Sequence, residues 1–279
     1  MLGKLFKHEW IAISKLLVVI HGFILIFAIL SRLFFEVSGG IEVVMAAGSN
    51  NITGIIAAMI IFVLVLFIFC AAMFTSVYIA YRFYKNVFTD QGYPTNTLPV
   101  TPTQIIVSKG LTALLWTIID LVVLGASLLI LFANGEFMSV LLPALGQLFT
   151  YLNTLPAFCW ILLIMILLSP FLMIIHMYFC VAVGSLVPNH KILGAIGVYI
   201  ISYVIIQILS TIVLAATGLG FSVGSMDAST ANMTGAQASQ YIMGILTPMF
   251  LVSVICEIIA IVAFFLVTKY IMTKKLNLE

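Results

Sequence analysis

Four ionisable side chains interrupt long apolar runs of this sequence, and they are the first candidates for chemistry. They are His21, Asp120, His176 and Glu257. A charge is costly inside a bilayer, so an ionisable residue there marks a functional candidate. Two interpretations stay open: these residues line a translocation path, or they form interhelical hydrogen bonds that hold a helix bundle together.

The two carboxylates lie at similar distances from the basic residues that mark helix ends. At ~1.5 Å per residue, Asp120 lies about 16 Å along a helix from Lys109, and Glu257 about 18 Å from Lys269. Both are therefore expected near the middle of a hydrocarbon core about 30 Å thick. No Lys or Arg is expected at that depth, so a desolvated carboxyl should be protonated or hydrogen-bonded, in the case of Asp120 to nearby hydroxyls.

Signatures of catalysis and of cofactor binding are missing from the sequence. It contains no GxxxxGK[ST] phosphate loop, no GxGxxG after a strand and no HExxH zinc motif. The cysteines have no paired spacing, which is typical of small apolar residues rather than of metal ligands or disulfide partners. We therefore expect no enzyme activity in this chain, no cofactor, no metal and no nucleic-acid partner.

Composition indicates the class of protein that holds these residues. Of the 279 residues, 64% are hydrophobic and 7% are charged, and the mean hydropathy is +1.30. In soluble proteins about a quarter of the residues are charged. An all-α polytopic membrane protein is therefore predicted. So little chain lies outside the apolar runs that residues 1–279 are expected to form a single transmembrane domain.

Six apolar segments are long enough to cross a bilayer, which takes about 20 residues of helix. Their boundaries are 16–35, 55–81, 111–132, 158–187, 192–217 and 241–267. A seventh segment, 137–152, is shorter and contains Pro143, so it is expected to be interfacial or re-entrant. Short cytoplasmic loops collect Lys and Arg, and six spans place every such residue except Arg32 on one side. Both termini are therefore predicted to be cytoplasmic.

Residues 1–15, MLGKLFKHEWIAISK, alternate basic and apolar positions at helical spacing. Lys4, Lys7 and His8 share one face of this helix, and the opposite face is apolar. The pattern favours an amphipathic helix that lies in the inner interface, in contact with membrane lipid. The alternative is a charged flank that anchors the first span.

The longest cytoplasmic connection joins the second and third spans. Residues 81–90 are compatible with a helix, and Gly92 can end it. Pro94, Pro99 and Pro102 then impose extended or turn backbone. A short exposed helix followed by a stiff turn is predicted.

With this loop the chain resembles the membrane subunits of ATP-binding-cassette (ABC) exporters of the type-2 permease class. The resemblance covers the whole chain, from the basic amphipathic start through six spans with a long outer connection between the last two. Its most specific element is the segment TLPVTPTQIIVSKGL. There Lys109 follows Pro99 of the Leu98-Pro99-Val100 motif by ten residues.

The resemblance implies that ATP is hydrolysed by a separate cytoplasmic ABC ATPase subunit. Two permease copies, identical or paralogous, would sit on two such subunits in a bacterial plasma (inner) membrane. They would export a peptide, an antibiotic or another amphipathic compound.

The resemblance also implies roles for individual residues. The coupling helix that docks on the ATPase would consist of Lys85, Asn86, Val87, Phe88, Thr89, Asp90, Gln91 and Gly92. The turn that fixes its angle to the third span would consist of Leu98, Pro99, Val100 and Lys109. Two other functions stay open: an ion- or proton-coupled carrier that needs no ATPase, and a non-transporting immunity or sensor subunit.

Overall fold

The computed structural model describes residues 2–40, 51–89, 92, 99–151, 156–216 and 234–275. These residues form seven α-helices and no strand. The helices are α1 (Leu2–Val37), α2 (Ile52–Phe88), α3 (Pro102–Phe132), α4 (Gly135–Tyr151), α5 (Ala157–Gly184), α6 (Lys191–Ala216) and α7 (Gly235–Lys274). All except α4 contain a stretch that is long and apolar enough to cross a membrane. The prediction of an all-α polytopic membrane protein is confirmed for the described residues. The side of the membrane that each terminus faces stays a prediction.

The helix α1 is continuous, which corrects the expectation of a separate amphipathic helix at the N terminus. Residues 2–15 are its first turns and lead directly into the first span. Its 36 residues span about 54 Å, well beyond the ~30 Å of the hydrocarbon core. Hydropathy shows where the apolar residues begin and end, but it does not show where the helix begins and ends. Residues 2–15 can therefore belong to the same helix as the span.

The predicted coupling helix is only partly described and stays a prediction. After a bend at Thr89, Gly92 is helical again. Lys85 to Phe88 form the last turn of α2, and Val87 and Phe88 are buried rather than exposed. Asp90, Gln91 and residues 93–98 lie outside the described residues. The predicted turn that contains Pro94 and Leu98 therefore stays a prediction.

The segment predicted to be interfacial or re-entrant belongs to α4. This helix has 17 residues and contains Pro143. At ~1.5 Å per residue it is about 25 Å long, shorter than the hydrocarbon core. Its apolar side chains Val140 and Leu142 are 70% and 64% exposed. The choice between an interfacial and a re-entrant position stays open.

The chain divides into two compact units, and the first comprises Met1–Arg82 and Gln104–Thr150. In this unit α1 buries a single stripe with a spacing of three or four residues, which is one face of a helix. The stripe consists of Glu9, Ile13, Leu17, His21, Ile24, Ala28, Ser31 and Phe35. Its C-terminal part joins an apolar cluster with Ala57 and Leu64 of α2 and Leu131 of α3. The N-terminal part of the stripe carries the polar residues.

The second unit comprises Phe83–Thr103 and Tyr151–Glu279. Within it α5 packs against α6 and α7. The rings of Phe158 and Phe250 lie 5.2 Å apart and those of Phe179 and Phe264 lie 4.6 Å apart, so α5 and α7 run in the same direction. Phe83 stacks on Tyr178 of α5 with ring centroids 3.9 Å apart.

Large apolar side chains cover the outer surface of the spans. Val19, Phe62 and Leu121, one from each of α1 to α3, are each 67% exposed, and Ile201 of α6 is 62% exposed. Such faces would be unstable in water and are normal against lipid chains. The exposed surface therefore agrees with a multi-pass membrane protein.

A close approach of backbones determines the turn from α5 to α6. A Cβ atom on Gly184 would lie 2.2 Å from the backbone nitrogen of Ala195 and 2.3 Å from its Cα. No side chain fits at such distances. Asn189, with φ of 65°, then turns the chain in the left-handed region that Asn tolerates better than most residues.

We expect Gly184→Ala to destabilise this helical hairpin by about 1–3 kcal/mol, because the backbones of α5 and α6 must move apart. The thermal unfolding midpoint of the purified protein in detergent measures the effect. Gly197→Ala is the matched control on α6, since a Cβ there meets nothing within 4 Å. Equal midpoints for the two variants would show that the close approach is unimportant.

Candidate functional site

Glu9 bridges two cations at the N-terminal end of the buried stripe. Its Oε1 accepts a hydrogen bond from Arg82 Nε at 3.0 Å, and its Oε2 accepts one from Lys109 Nζ at 2.7 Å. Arg82 lies near the end of α2 and Lys109 lies near the start of α3. One carboxylate of α1 therefore binds both other long helices of the first unit. We call Glu9, Arg82 and Lys109 the ion-pair cluster.

The ion-pair cluster is largely shielded from solvent. Lys109 is 6% exposed and Glu9 is 8% exposed, whereas the side chain of Arg82 keeps 20% of its surface exposed. A buried ion pair adds little net stability, because desolvation offsets the attraction, but losing one partner leaves an uncompensated charge at a cost of about 3–5 kcal/mol. The cluster therefore acts chiefly to fix which faces of the three helices meet.

The ion-pair cluster lies at both ends of the connection between α2 and α3. Arg82 precedes, and Lys109 follows, the connection between α2 and α3. Glu9 consequently holds both ends of that connection. The resemblance implies a role for Lys109 in the angle of the third span, but the sequence pattern of residues 1–15 does not single out Glu9. Its place four residues before Ile13, in the buried stripe of α1, was the available signal.

The second polar cluster lies farther along the same three helices. His21 Nε2 shares a hydrogen bond with Asp120 Oδ1, and Thr75 Oγ1 donates to the same Oδ1 at 3.1 Å. The other ring nitrogen of His21 lies 2.7 Å from the carbonyl oxygen of Leu17. We call His21, Thr75 and Asp120 the mid-span cluster. It joins α1, α2 and α3.

The bonding of His21 determines how many protons this cluster holds. The Leu17 carbonyl can only accept, so Nδ1 of His21 must carry a hydrogen. The bond between Nε2 and Asp120 Oδ1 then needs one more proton, on either atom. An imidazolium with a carboxylate and a neutral imidazole with a carboxylic acid have the same net charge of zero. The pair can therefore lie inside the membrane without a net charge.

An aromatic stack connects the mid-span cluster with the first turns of α1. The ring of Trp116, one turn before Asp120 on α3, lies 5.5 Å from the His21 ring and 5.3 Å from the Trp10 ring. Trp116 is 2% exposed, yet its Nε1 has no hydrogen-bond partner among the described residues. A buried donor without a partner usually marks a place for a water molecule or for another acceptor.

The other two sequence-predicted ionisable residues belong to the second unit. His176 Nε2 of α5 lies 2.7 Å from Ser202 Oγ of α6, and its ring packs 5.1 Å from that of Phe264. This contact is an interhelical hydrogen bond, the second of the two interpretations. Glu257 is 9% exposed, and its Oε2 is without a partner in the described part of the chain. Whether any of the four lines a path stays a prediction.

The residues expected to couple to an ATPase are only partly described. Lys85, Asn86 and Thr89 are half-buried, and Gly92 is buried and donates its N–H to the carbonyl oxygen of Thr89 at 2.6 Å. Pro99 is exposed. Asp90, Gln91 and Leu98 are outside the described ranges, and Val100 is half-buried. In the described residues, no group of three or more His, Cys, Asp or Glu side chains could hold a metal ion.

No family model, curated protein or solved structure matches this chain. A function for this chain must therefore be inferred from its own helices and polar clusters.

Glu9→Gln should destabilise the protein by about 3–5 kcal/mol, because it leaves buried Lys109 without its carboxylate. Glu36→Gln is the matched control. Glu36 pairs with Arg32, but its side chain is 54% exposed, so its loss should cost less than about 1 kcal/mol. The thermal unfolding midpoints in detergent compare the two. Adding Lys109→Met to Glu9→Gln should recover stability, whereas equal midpoints for the two Gln variants would contradict the role of the ion-pair cluster.

A double-mutant cycle tests the mid-span pair. His21→Leu and Asp120→Leu should each cost about 1–3 kcal/mol, because each leaves a buried polar partner unsatisfied, and the double variant should cost less than their sum. The free energy of unfolding in mixed micelles measures the coupling. Ser76→Ala provides the control, since Ser76 is half-buried and its side chain bonds only the Ala72 carbonyl oxygen within α2. Strict additivity of the two Leu substitutions would rule out a direct interaction.

Proposed function

We propose that this chain is the membrane-spanning permease subunit of an ABC exporter and that a separate cytoplasmic ATPase drives it. The Leu98-Pro99-Val100 motif with Lys109 supports the proposal from the sequence. The ion-pair cluster is the observation that carries it. A second permease copy, identical or paralogous, completes the translocation path in a bacterial plasma membrane, and lipid covers the exposed apolar faces.

The ion-pair cluster suits a joint that transmits force. In a driven permease the ATPase moves the connection between α2 and α3. Arg82 and Lys109 flank this connection, and Glu9 holds them 3.0 and 2.7 Å away. A displacement of the connection therefore moves α1 together with α2 and α3. Without Glu9, the same displacement would reach α1 only through the mid-span cluster and the apolar contacts.

A passive turn would not need this arrangement. Basic residues at the end of a span are normally hydrated, as exposed Lys15 is. Burying Lys109 and Glu9 instead costs desolvation energy, which only precise pairing offsets. Such a cost is reasonable where the geometry of the turn matters for function. The proposal therefore places the ATPase contact in the segment between Lys85 and Gly92, which begins three residues after Arg82 in the sequence.

The tagged chain, purified from its native membranes in mild detergent, should bring down an ABC ATPase in stoichiometric amounts. Asp90→Arg and Lys85→Glu should each lower the amount recovered at least severalfold, because both lie in the proposed contact. The double variant Glu9→Gln/Lys109→Met, in which stability should be recovered, should keep the ATPase bound but lower transport-coupled ATP hydrolysis, since the joint is loosened. Glu36→Gln is the control and should change neither.

Phe88→Ala is a poor probe of docking, because Phe88 is 1% exposed and its truncation acts through packing. Recovery of the chain without any ABC ATPase would overturn the proposal, and so would full recovery of the ATPase with both charge variants. An ATPase that is bound while no compound is exported would favour an immunity or sensor subunit.

A second candidate function is favoured by the mid-span cluster. The proton between His21 and Asp120 is of the kind that a proton-coupled carrier exchanges. Uptake or efflux by proteoliposomes that contain only this chain and respond to a pH gradient would support that function. Transport that requires ATP and a second subunit would reject it.

A further inference from the structure

Asp120 is not saturated by its contacts. His21 and Thr75 both bond Oδ1, and within the described residues no hydrogen bond reaches Oδ2. The Asp120 side chain is 15% exposed, compared with 6% for His21. One oxygen of the carboxyl group therefore has no hydrogen bond within the described residues, on a side chain that is partly exposed.

The carboxyl group of Asp120 lies at an apolar depth. Asp120 is about 16 Å along α3 from Lys109, near the middle of the hydrocarbon core. The next two residues of α3, Leu121 and Val122, are 67% and 63% exposed, so apolar side chains that face lipid lie at the same depth. An accessible carboxylate at that depth is stable only if a proton or another positive charge compensates it.

We propose that the mid-span cluster binds a lipophilic cation, which takes the place of the proton shared by His21 and Asp120. The groups that contact Asp120 in the described residues are His21 from α1 and Thr75 from α2, and no Lys or Arg contacts it. When the proton leaves, the pair carries one negative charge. A cation at Oδ2 then restores neutrality, and one proton is released for each cation bound.

The chemistry of the site selects its ligand. An anion is repelled by the carboxylate, and a neutral solute cannot replace the proton. A strongly hydrated small cation loses too much hydration energy at this depth, whereas a charge spread over an apolar body loses little. The unpartnered N–H of Trp116, in the ring beside His21, is a hydrogen-bond donor that an acceptor group of the ligand could use. The inference rests on the proposed function in that the cation would be cargo of the exporter.

Tetraphenylphosphonium is a suitable probe, since it is a permanent lipophilic cation without an acidic hydrogen. The full chain in nanodiscs of zwitterionic lipid should bind it in equilibrium dialysis. Asp120→Asn should weaken binding about tenfold or more, because the compensating charge is lost. Triphenylphosphine oxide, the neutral comparison, should bind both proteins equally and weakly.

Glu257→Gln is the matched carboxyl control, because it removes the other membrane carboxyl with an unpartnered oxygen and should leave binding unchanged. The affinity of the unaltered chain should rise with pH by up to about tenfold per unit, since one proton is released. Asp120→Asn should abolish that dependence. No binding by the unaltered chain, or equal binding by Asp120→Asn, would overturn the inference. An equal loss with Glu257→Gln would also overturn the assignment to Asp120.

A measurement on the unaltered chain covers the case in which Asp120→Asn fails to fold. Dicyclohexylcarbodiimide, which is apolar, should modify Asp120, and saturating tetraphenylphosphonium should protect it. Mass spectrometry of peptides would quantify both carboxyls, with Glu257 unprotected as the internal control. Modification of Asp120 that the cation does not change would overturn the inference.

These experiments use no ATPase, so their outcome is separate from that of the proposed function. Binding without a co-purifying ATPase would leave the cation site valid and reject the exporter. A co-purifying ATPase without cation binding would support the exporter and reject the cation site.

Discussion

The carboxylate of Glu9 holds Arg82 and Lys109, and the arrangement of the first unit depends on this interaction. Three apolar helices in lipid can slide and rotate at little cost, because lipid chains are as apolar as the helices themselves. A buried charge removes that freedom, since every register that separates it from its partner is penalised. The pairing thus selects one packing of α1, α2 and α3 without adding much stability.

The mid-span cluster also fixes which helix faces meet, but it lies deeper in the membrane, where a net charge costs more free energy. His21 and Asp120 share a proton, so their pair is neutral as a unit. Thr75 adds a third helix to it. The apolar cluster near Phe35 and Leu64 then needs only shape complementarity, because the register is already determined. The same three helices therefore carry the ion-pair cluster and Asp120.

The two units differ in how they use polar groups. In the second, Ser202 of α6 contacts His176 and Cys180 of α5, and the turn after Gly184 depends on the absence of a side chain. Glu257 has an oxygen without a partner in the described residues. In the first unit, by contrast, paired polar groups select the packing of three helices.

The number of spans, their positions and the all-α class could be predicted from the sequence, because a bilayer demands about 20 apolar residues per crossing and this signal is local. His21, Asp120, His176 and Glu257 could be identified as unusual for the same reason. Their partners could not, since His21 and Asp120 lie 99 residues apart and hydropathy carries no information on which faces meet. The sequence also did not predict that α1 includes residues 2–15 or that α2 continues to Phe88. A helix can extend beyond the apolar stretch by which it is recognised. Glu9 is the clearest case: in the sequence it is one charge in a basic flank, and only tertiary packing makes it the partner of two helices.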